Sequence, residues 1–169
     1  ADGAAAADGM TRALHQLRSL PIDDFVSLMF SPPSQYHHLA AALPTMPDAD
    51  VQASWTGHFG AELGVRTSNL LRMLNYNVLV HTGSPLHGKT ILDYGCGWGR
   101  LVRSLYYFSD PDQVYGIDPW TQSIRACQAS GITTNIALCA YVPTELPFGP
   151  VLFDVGIAYS VLTHLSLTA

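Results

Sequence analysis

The stretch Ile91-Leu92-Asp93-Tyr94-Gly95-Cys96-Gly97-Trp98-Gly99-Arg100 decides the fold of this chain. It begins with residues apolar enough for a buried strand and continues with three glycines at alternate positions. Glycine adopts positive φ angles without strain and lets a ligand approach the backbone closely. The stretch therefore predicts a strand, a tight glycine turn and the start of a helix. We expect backbone N–H groups of the turn to point into a crevice at the carboxyl end of the strand.

A second segment, Val114-Tyr115-Gly116-Ile117-Asp118, is an apolar strand that ends in an acid. Asp118 follows Gly97 by 21 positions. In nucleotide-binding α/β domains, an acid about 20 residues after the glycines binds the ribose hydroxyls. A carboxylate suits this role because it can accept hydrogen bonds from two adjacent hydroxyls. Together the two segments predict a ligand of the adenosine type.

Strand-like and helix-like segments alternate over residues 89–169. Apolar strands that alternate with helices indicate a parallel sheet covered on both faces. Right-handed crossovers then give a doubly wound α/β fold. We predict strands over residues 90–94, 113–117, 133–139 and 151–159, and helices over residues 98–108 and 120–130.

Residues 1–88 are predicted to form a helical preface or lid rather than an independent domain. The hydrophobic pattern indicates helices over residues 10–20 and 22–30, after which prolines divide the chain into short pieces. Residues 54–64 indicate a glycine-containing loop, of which residues 55–59 are equally compatible with part of a lid. A further helix is predicted to follow, with Ser68 as its N-cap.

Composition argues against several classes of protein and site. The formal net charge is −5 and Lys89 is the only lysine, whereas nucleic-acid binding normally needs a basic face. No apolar run reaches the ~18 residues of a membrane span, and no signal peptide is visible. The three cysteines lack CxxC spacing, which favours a reducing, cytoplasmic compartment. We also expect no metal site, because adjacent His37 and His38 have poor geometry for one ion.

The glycine pattern and the charge beside it distinguish between two adenosine-containing ligands. The dinucleotide fingerprint G-x-G-x-x-G would place its third glycine at position 100, where this chain has Arg100. Asp93, immediately before the turn, would repel a pyrophosphate and attract a cation. S-adenosylmethionine carries an ammonium and a sulfonium, so this methyl donor is favoured over NAD. An NAD-dependent oxidoreductase stays as an alternative.

Three segments resemble motifs of the class I S-adenosylmethionine-dependent methyltransferases. ILDYGCGWGR (residues 91–100) resembles their motif I, and VYGIDPW (residues 114–120) resembles the acidic-loop motif that follows. LPFGPVLFDVGIAYSVLTHL (residues 146–165) resembles the segment around their fourth strand. The resemblance implies a Rossmann-like domain over residues 89–169 with strand order 3-2-1-4. It also implies S-adenosylmethionine as cofactor and methyl transfer to a small-molecule acceptor.

The same resemblance implies roles for single residues. Asp93 would reach the amino group of the cofactor, Asp118 would hold the ribose hydroxyls, and the backbone of the turn would contact the methionine part and the ribose. His164, just beyond the fourth strand, is a candidate general base for acceptors that lose a proton. The implied cofactor-binding set is Asp93, Tyr94, Gly95, Cys96 and Gly97 around the turn, Asp118 with Pro119 and Trp120 bordering the adenine, and Ser160 facing the reacting end.

The resemblance also has a limit at the carboxyl end of the chain. The complete fold has seven strands, and the sequence provides four of them. A fourth strand that is apolar on both faces needs a neighbour for its free N–H and C=O groups. We therefore expect a longer parent protein or a partner chain along this edge, and little methyltransferase activity from residues 1–169 alone. A fragment that binds the cofactor or a partner without turnover is the other alternative function.

Further expectations concern charged residues and a thiol around the motifs. Arg100 and Arg66 could bind the carboxylate of the cofactor, but a surface salt bridge is the simpler interpretation for each. Cys96 is expected at a helix N-terminus, which lowers the pKa of a thiol. Asp154 is expected to be a strand-end residue bonded to the backbone.

Overall fold

The computed structural model describes residues 1–161, except for the side chains of residues 4–8. Within this range, five helices precede a four-stranded sheet, and two more helices and a short 3₁₀ turn connect its strands. The helices are α1 (Asp2–Leu17), α2 (Ile22–Phe30), α3 (His37–Ala42), α4 (Ala49–Thr56), α5 (Gly60–Thr82), α6 (Arg100–Leu105) and α7 (Thr121–Ala129). The strands are β1 (Ile91–Tyr94), β2 (Val114–Asp118), β3 (Ile136–Leu138) and β4 (Val155–Ile157).

The four strands form one parallel sheet in the order β3-β2-β1-β4. This arrangement confirms the predicted strand order and the doubly wound α/β fold. β1 lies inside the sheet, where Ile91 pairs with Val114 of β2 and with Val155 of β4. Because parallel strands end on the same edge of a sheet, the turns after β1, β2 and β4 lie close together.

The fourth strand is shorter than the sequence predicts. We expected residues 151–159 to be extended and buried on both faces, but only Val155–Ile157 pair with β1. β1 offers no partner to the residues before Asp154, and the Leu152 side chain is 89% exposed. Asp154 behaves as expected, because its Oδ2 accepts a hydrogen bond of 2.8 Å from the backbone N–H of Thr90.

The helix after the glycine turn is also shorter than the pattern suggests. The prediction placed it over residues 98–108, whereas α6 covers only Arg100–Leu105. Gly97 and Gly99 have φ angles of 55° and 83°. A right-handed helix needs negative φ, so α6 begins only after the last glycine of the turn.

The long helix before the sheet begins earlier than predicted. α5 starts at Gly60, so most of the expected loop at residues 54–64 is helical. Ser68 is not an N-cap, because its hydroxyl lies inside the helix and donates to the carbonyl of Gly64 at 3.2 Å. The buried side of α5 already begins at Leu63, before Ser68, where the helix was predicted to start.

The preface (residues 1–88) and the sheet share one hydrophobic core, which contains buried residues of α1, α2 and α5 together with residues of β1 and α6. Arg18, after α1, adds polar contacts to this packing. Its guanidinium donates to the carbonyls of Tyr106 and Ser109 at 2.7 Å each and pairs with Asp110 at 2.6 Å. The preface is therefore bonded directly to the segment that follows α6.

Buried Arg103 makes a second connection between the preface and the sheet. Its guanidinium donates to the carbonyl of Thr45 at 2.5 Å and to that of Trp98 at 3.2 Å. It also bonds to the Ser130 hydroxyl at 3.1 Å and lies over the Trp98 ring, 5.2 Å from its centroid. Burial lowers the pKa of Arg103 to about 10. One cation thus holds together three segments that meet behind the glycine turn.

No helix in the described part of the chain is both long and apolar enough to cross a membrane.

Candidate functional site

A cavity of about 680 Å³ lies between the glycine turn and the preface helices α4 and α5. This volume is within the range of ~300–1,000 Å³ that small-molecule sites occupy. The carboxyl edge of the sheet forms one wall, and the preface forms the wall opposite. Five of the sequence-predicted residues line it, namely Asp93, Gly95, Cys96, Gly97 and Ser160.

The glycine turn is fixed by hydrogen bonds to β2. The N–H groups of Gly95 and Cys96 both donate to the carbonyl of Ile117, at 2.8 Å and 2.9 Å. Our expectation that such groups point into the crevice does not hold for these two donors. Gly95 has a φ of 77°, and a Cβ there would lie 2.4 Å from the Val161 side chain. The turn therefore requires glycine for its backbone angle and for its packing.

Asp118 connects the two motifs that the sequence analysis singled out. Its Oδ2 accepts the N–H of Gly97 at 3.0 Å, and its Oδ1 accepts the N–H of Trp120 at 2.9 Å. The carboxylate is buried and lies next to the cavity rather than on its wall. Each oxygen accepts one of these bonds and has a second lone pair, so the carboxylate can still accept donors from a ligand.

Asp93 is the most unusual polar group of the cavity wall. Its side chain is 2% exposed, and its Oδ2 has no hydrogen-bond partner among the described residues. Burial raises the pKa of Asp93 to about 7; the positive charge of Arg100 opposes this shift, and the negative charge of Asp118 adds to it. A donor or cation from a ligand would satisfy this oxygen and favour its ionised form.

Cys96 is part of the packing behind the turn. It is buried, and a hydrogen bond with Cys127 together with burial raises its pKa well above the usual value for a thiol. Our expectation of a lowered pKa is wrong, because α6 begins only at Arg100 and Cys96 does not lie at its N-terminus.

The two arginines of the cavity differ in their partners. Arg66 forms the expected surface salt bridge, with hydrogen bonds of 3.1 Å and 3.0 Å to Glu62 on the same helix. Arg100 does not, and the surface salt-bridge prediction is wrong for it. Its guanidinium is half-buried, bonds to the Thr67 hydroxyl at 3.3 Å and lies 5.5 Å from the centroid of the Tyr159 ring.

The preface closes the cavity with the aromatic side chain of Trp55. The sequence was equally compatible with a lid and with a simple loop for this segment. The Trp55 ring lies 3.3 Å from the position that a Cβ on Gly97 would occupy. It also meets the ring of Trp120 edge to face, with centroids 6.1 Å apart. Trp55 thus covers the glycine turn and contacts the last residue of the acidic-loop motif.

His58 is a cavity residue that the sequence analysis missed. Its Nδ1 lies 3.0 Å from Glu62 Oε1. Its backbone carbonyl accepts the Thr56 hydroxyl at 2.8 Å, and the side chain of buried Gln52 accepts the N–H of Gly60 at 3.1 Å. The spacing of four residues between His58 and Glu62 is visible in the sequence. This spacing was not used as a signal, because residues 54–64 were predicted to form a loop.

Tyr94, Pro119 and Trp120 are not among the residues that line the cavity. Tyr94 points away from it, towards the segment after β3, where its hydroxyl bonds to the carbonyl of Tyr141 at 3.4 Å. Pro119 and Trp120 directly follow Asp118, and the Trp120 ring is exposed. Ser160 has a φ of 60°, a left-handed conformation that is uncommon for a residue with a Cβ. His164 lies outside the described residues.

Residues 91–169 match the family model described as a methyltransferase domain. This part of the chain is a class I methyltransferase domain. The match begins at the first residue of β1. It includes both the glycine turn and the strand that ends in Asp118, which bonds to that turn. In this methyltransferase domain the parallel sheet has the order 3-2-1-4, and the cavity lies at the carboxyl edge of its strands.

The chain is similar to parts of longer curated proteins. Over 120 residues, 64% of this chain, it is 29% identical to protein arginine N-methyltransferase 2 of Xenopus laevis. Over 82 residues, 44% of this chain, it is 33% identical to the mitochondrial ubiquinone biosynthesis O-methyltransferase of Mus musculus. The matches cover 28% and 22% of those proteins, so the chain spans about a quarter of the length of the curated relatives.

Two solved structures of the plantazolicin methyltransferase BpumL are also similar to the chain. The complex with SAH has a TM-score of 0.40 at 18% identity, with 65% of this chain and 45% of that chain covered. The complex with SAH and a pentazolic desmethylPZN analog has a TM-score of 0.41 at 17% identity, with 87% and 49% covered.

Proposed function

We propose that the methyltransferase domain binds S-adenosylmethionine along the glycine turn and that the protein transfers its methyl group to a small-molecule acceptor. The observation that carries this proposal is Oδ2 of Asp93, which is buried on the cavity wall without a partner in the described range. An unpaired buried oxygen costs free energy. The ammonium of the cofactor would supply both a donor and a counter-charge.

The nucleoside end of the cofactor would lie along the residues that follow β2. The Asp118 carboxylate keeps lone pairs for the two ribose hydroxyls, and the exposed ring of Trp120 offers a face for the adenine. Residues 139–142 contain no acid, so a backbone carbonyl would receive the adenine amine. This arrangement would place the methionine part in the cavity beside Asp93.

When bound, S-adenosylmethionine supplies an electrophilic methyl group on a sulfonium. The contribution of the chain is to hold donor and acceptor in line and to exclude water. Trp55, Leu63 and Met73 give the preface wall an apolar surface for this purpose. Ser160, at the end of β4, would border the reacting end of the cavity.

Acceptors that must lose a proton need a base, and His58 fits this role. Its Nδ1 donates to Glu62, which orients the ring and leaves Nε2 as the proton acceptor. His58 also lies on the cavity wall. His164, the candidate from the sequence, stays a second possibility for the same role.

Charge and cysteine chemistry support a small acceptor and a reducing compartment. The net charge of −5 and the single lysine argue against a nucleic-acid acceptor. The three cysteines of the chain are all free thiols, which supports a cytoplasmic location. A cofactor-binding fragment without turnover stays the alternative function.

Calorimetric titration with S-adenosylhomocysteine and with NADH tests the proposal. We expect one S-adenosylhomocysteine per chain and no binding of NADH. Binding of NADH instead would replace the proposal by an oxidoreductase. If neither ligand binds to folded protein, the domain does not use the cavity for an adenosine cofactor. Binding of S-adenosylhomocysteine with no methylated product from labelled S-adenosylmethionine and a panel of phenols, amines and thiols would favour the binding fragment.

A further inference from the structure

The preface wall of the cavity carries large apolar side chains, two of which are partly open to solvent. Leu63 and Leu70 of α5 are buried, whereas Trp55 and Met73 are 39% and 49% exposed. The proposed cofactor contacts lie on the opposite side, along the glycine turn and the end of β2, so an acceptor would meet the preface wall. Tryptophan rings and methionine sulfur both make favourable contacts with aromatic rings. This wall therefore suits a flat aromatic molecule.

The charges around the cavity disfavour a cationic acceptor. Arg66 and Arg100 line the cavity, and Asp93 is the only acid among the described residues that do so. In the proposed function Asp93 binds the ammonium of the cofactor, so the preface wall has no carboxylate for a second cation. An alkylamine such as that of lysine has a pKa of about 10.4 and is protonated at neutral pH. The two guanidinium groups would repel it, which favours an acceptor that is neutral or becomes negative.

His58 is placed to take a proton from such an acceptor. Its Nδ1 lies 3.0 Å from Oε1 of Glu62. A hydrogen bond from Arg66 and the charge of His58 lower the pKa of Glu62, which keeps this partner ionised. A carboxylate on Nδ1 holds the proton there and leaves Nε2 as the basic nitrogen.

The strength of an imidazole base selects among neutral acceptors. A phenol, with a pKa of about 10, is acidic enough to give its proton to an imidazole. An aliphatic alcohol is a much weaker acid. A thiol ionises near pH 8.5 without help, so it has little need of a base. The histidine on an apolar and positively charged wall thus fits a phenol best.

We infer that the methyl acceptor is a phenol, with its ring against Trp55 and Met73 and its hydroxyl donating to Nε2 of His58; this inference rests on the proposed function. The phenolic proton passes to Nε2. The oxygen forms a bond to the methyl carbon while the bond from that carbon to sulfur breaks, and the electron pair stays on sulfur. The products are an aryl methyl ether and S-adenosylhomocysteine, and His58 then releases its proton to water. Arg66 and Arg100 give the cavity a positive potential that favours the phenolate.

Binding of 4-nitrophenol tests this inference without turnover, because its phenolate has a visible absorption band that the phenol lacks. The protein is first saturated with S-adenosylhomocysteine. We expect bound 4-nitrophenol to ionise at a pH about one unit lower than in water, a tenfold change in its ionisation equilibrium. His58→Gln should abolish this shift. His81→Gln is the matched control, because His81 is an exposed histidine of α5 that does not line the cavity, and it should keep the shift.

Three further probes share an aromatic ring and differ in the acceptor group, namely 4-ethylphenol, 2-phenylethanol and 2-phenylethylamine. In titrations of the same loaded protein, 4-ethylphenol should bind roughly tenfold more tightly than the alcohol and the amine, the lower end of the range for hydrogen bonds to charged groups. His58→Gln should remove this preference, with folding checked by thermal unfolding. Should His58→Gln not fold, Glu62→Gln provides the test, and it should reduce the 4-nitrophenol shift.

The other outcomes overturn the inference in distinguishable ways. Tighter binding of 2-phenylethylamine would assign the wall to amines, and equal binding of the phenol and the alcohol would leave an aromatic pocket without a base. A 4-nitrophenol shift that persists in folded His58→Gln would remove His58 from the site. If S-adenosylhomocysteine binds but none of the aromatic probes does, the inference fails while the proposed function stands. If S-adenosylhomocysteine does not bind, both fail.

Discussion

The backbone N–H of Gly97 donates to Oδ2 of Asp118 at 3.0 Å, across 21 positions of sequence. This bond joins the turn after β1 to the end of β2. Asp118 thereby has two roles in our account, because it fixes the turn and would bind the ribose hydroxyls. Experiments on this residue must separate the two effects.

Replacement of Asp118 tests the ribose assignment. We expect Asp118→Ala to weaken S-adenosylhomocysteine binding by roughly 1.5–3 kcal/mol, since hydrogen bonds to a charged group are lost. Asp154→Asn is the matched control, because Asp154 is also an acid next to a strand that bonds to a backbone N–H, but it lies off the cavity. Calorimetry with thermal unfolding measures both. Unchanged affinity in folded Asp118→Ala would remove Asp118 from the binding site.

Two glycines of the turn should respond differently to a methyl group. A Cβ on Gly97 would meet only the Trp55 ring, at 3.3 Å, whereas a Cβ on Gly99 would lie 2.6 Å from Ile132 and 3.1 Å from Cys127. Both substitutions carry the left-handed strain of roughly 1–2 kcal/mol. We expect Gly97→Ala chiefly to weaken cofactor binding and Gly99→Ala chiefly to lower the unfolding temperature. A Gly97→Ala protein that binds normally would show that the cofactor does not lie on this turn.

The fold itself was predictable because its signals are local. Glycines at alternate positions and an acid at the end of an apolar strand indicate a nucleotide-binding turn wherever they occur. The apolar segments around them gave the parallel sheet and its order. The exact strand length was not predictable, since the residues around Leu152 are apolar but have no neighbouring strand with which to pair.

The part of the cavity wall that the preface forms was harder to predict from the sequence. His58 and Trp55 reach the cavity only because α4 and α5 pack over the glycine turn. The two glycines at positions 57 and 60 concealed the early start of α5. The environment of Arg100 also depends on tertiary packing, because Thr67 and Tyr159 come from distant parts of the chain.

The pH dependence of binding should follow Asp93. Its pKa is raised to about 7, so the ionised form that attracts an ammonium grows as pH rises from 5.5 to 8. We expect S-adenosylhomocysteine affinity to increase roughly tenfold or more over this range. Asp93→Asn should bind weakly with a flat profile. As a control, 5′-methylthioadenosine should show little pH dependence with the wild type, and a steep profile for this ligand would contradict the assignment.

The raised pKa of Asp93 also predicts how the stability of the fold changes with pH. The folded protein holds the Asp93 proton more tightly than the unfolded chain, so the carboxyl stabilises the fold at low pH. This contribution is lost as pH rises from about 4 to about 7. Without ligand, Asp93→Asn should therefore unfold at a higher temperature than the wild type at pH 8. A lower unfolding temperature for the variant at this pH would mean that the buried carboxylate has a partner we have not identified.

Removal of Arg103 should destabilise the fold. Arg103→Met leaves the carbonyls of Thr45 and Trp98 and the Ser130 hydroxyl without their donor, and we expect a loss of roughly 3–5 kcal/mol. Arg125→Ala, at an exposed position of α7, should change stability by less than about 0.5 kcal/mol. Urea unfolding measures both. A stable Arg103→Met protein would show that this cation is not needed to join the preface to the sheet.

A crystal structure of the protein with S-adenosylhomocysteine tests the central claim most directly. We predict the ligand amine within about 3 Å of Oδ2 of Asp93, the distance of a charge-assisted hydrogen bond. The two ribose hydroxyls should meet the Asp118 carboxylate. A ligand that lies outside the cavity, or one whose amine leaves Asp93 without a partner, would contradict the account.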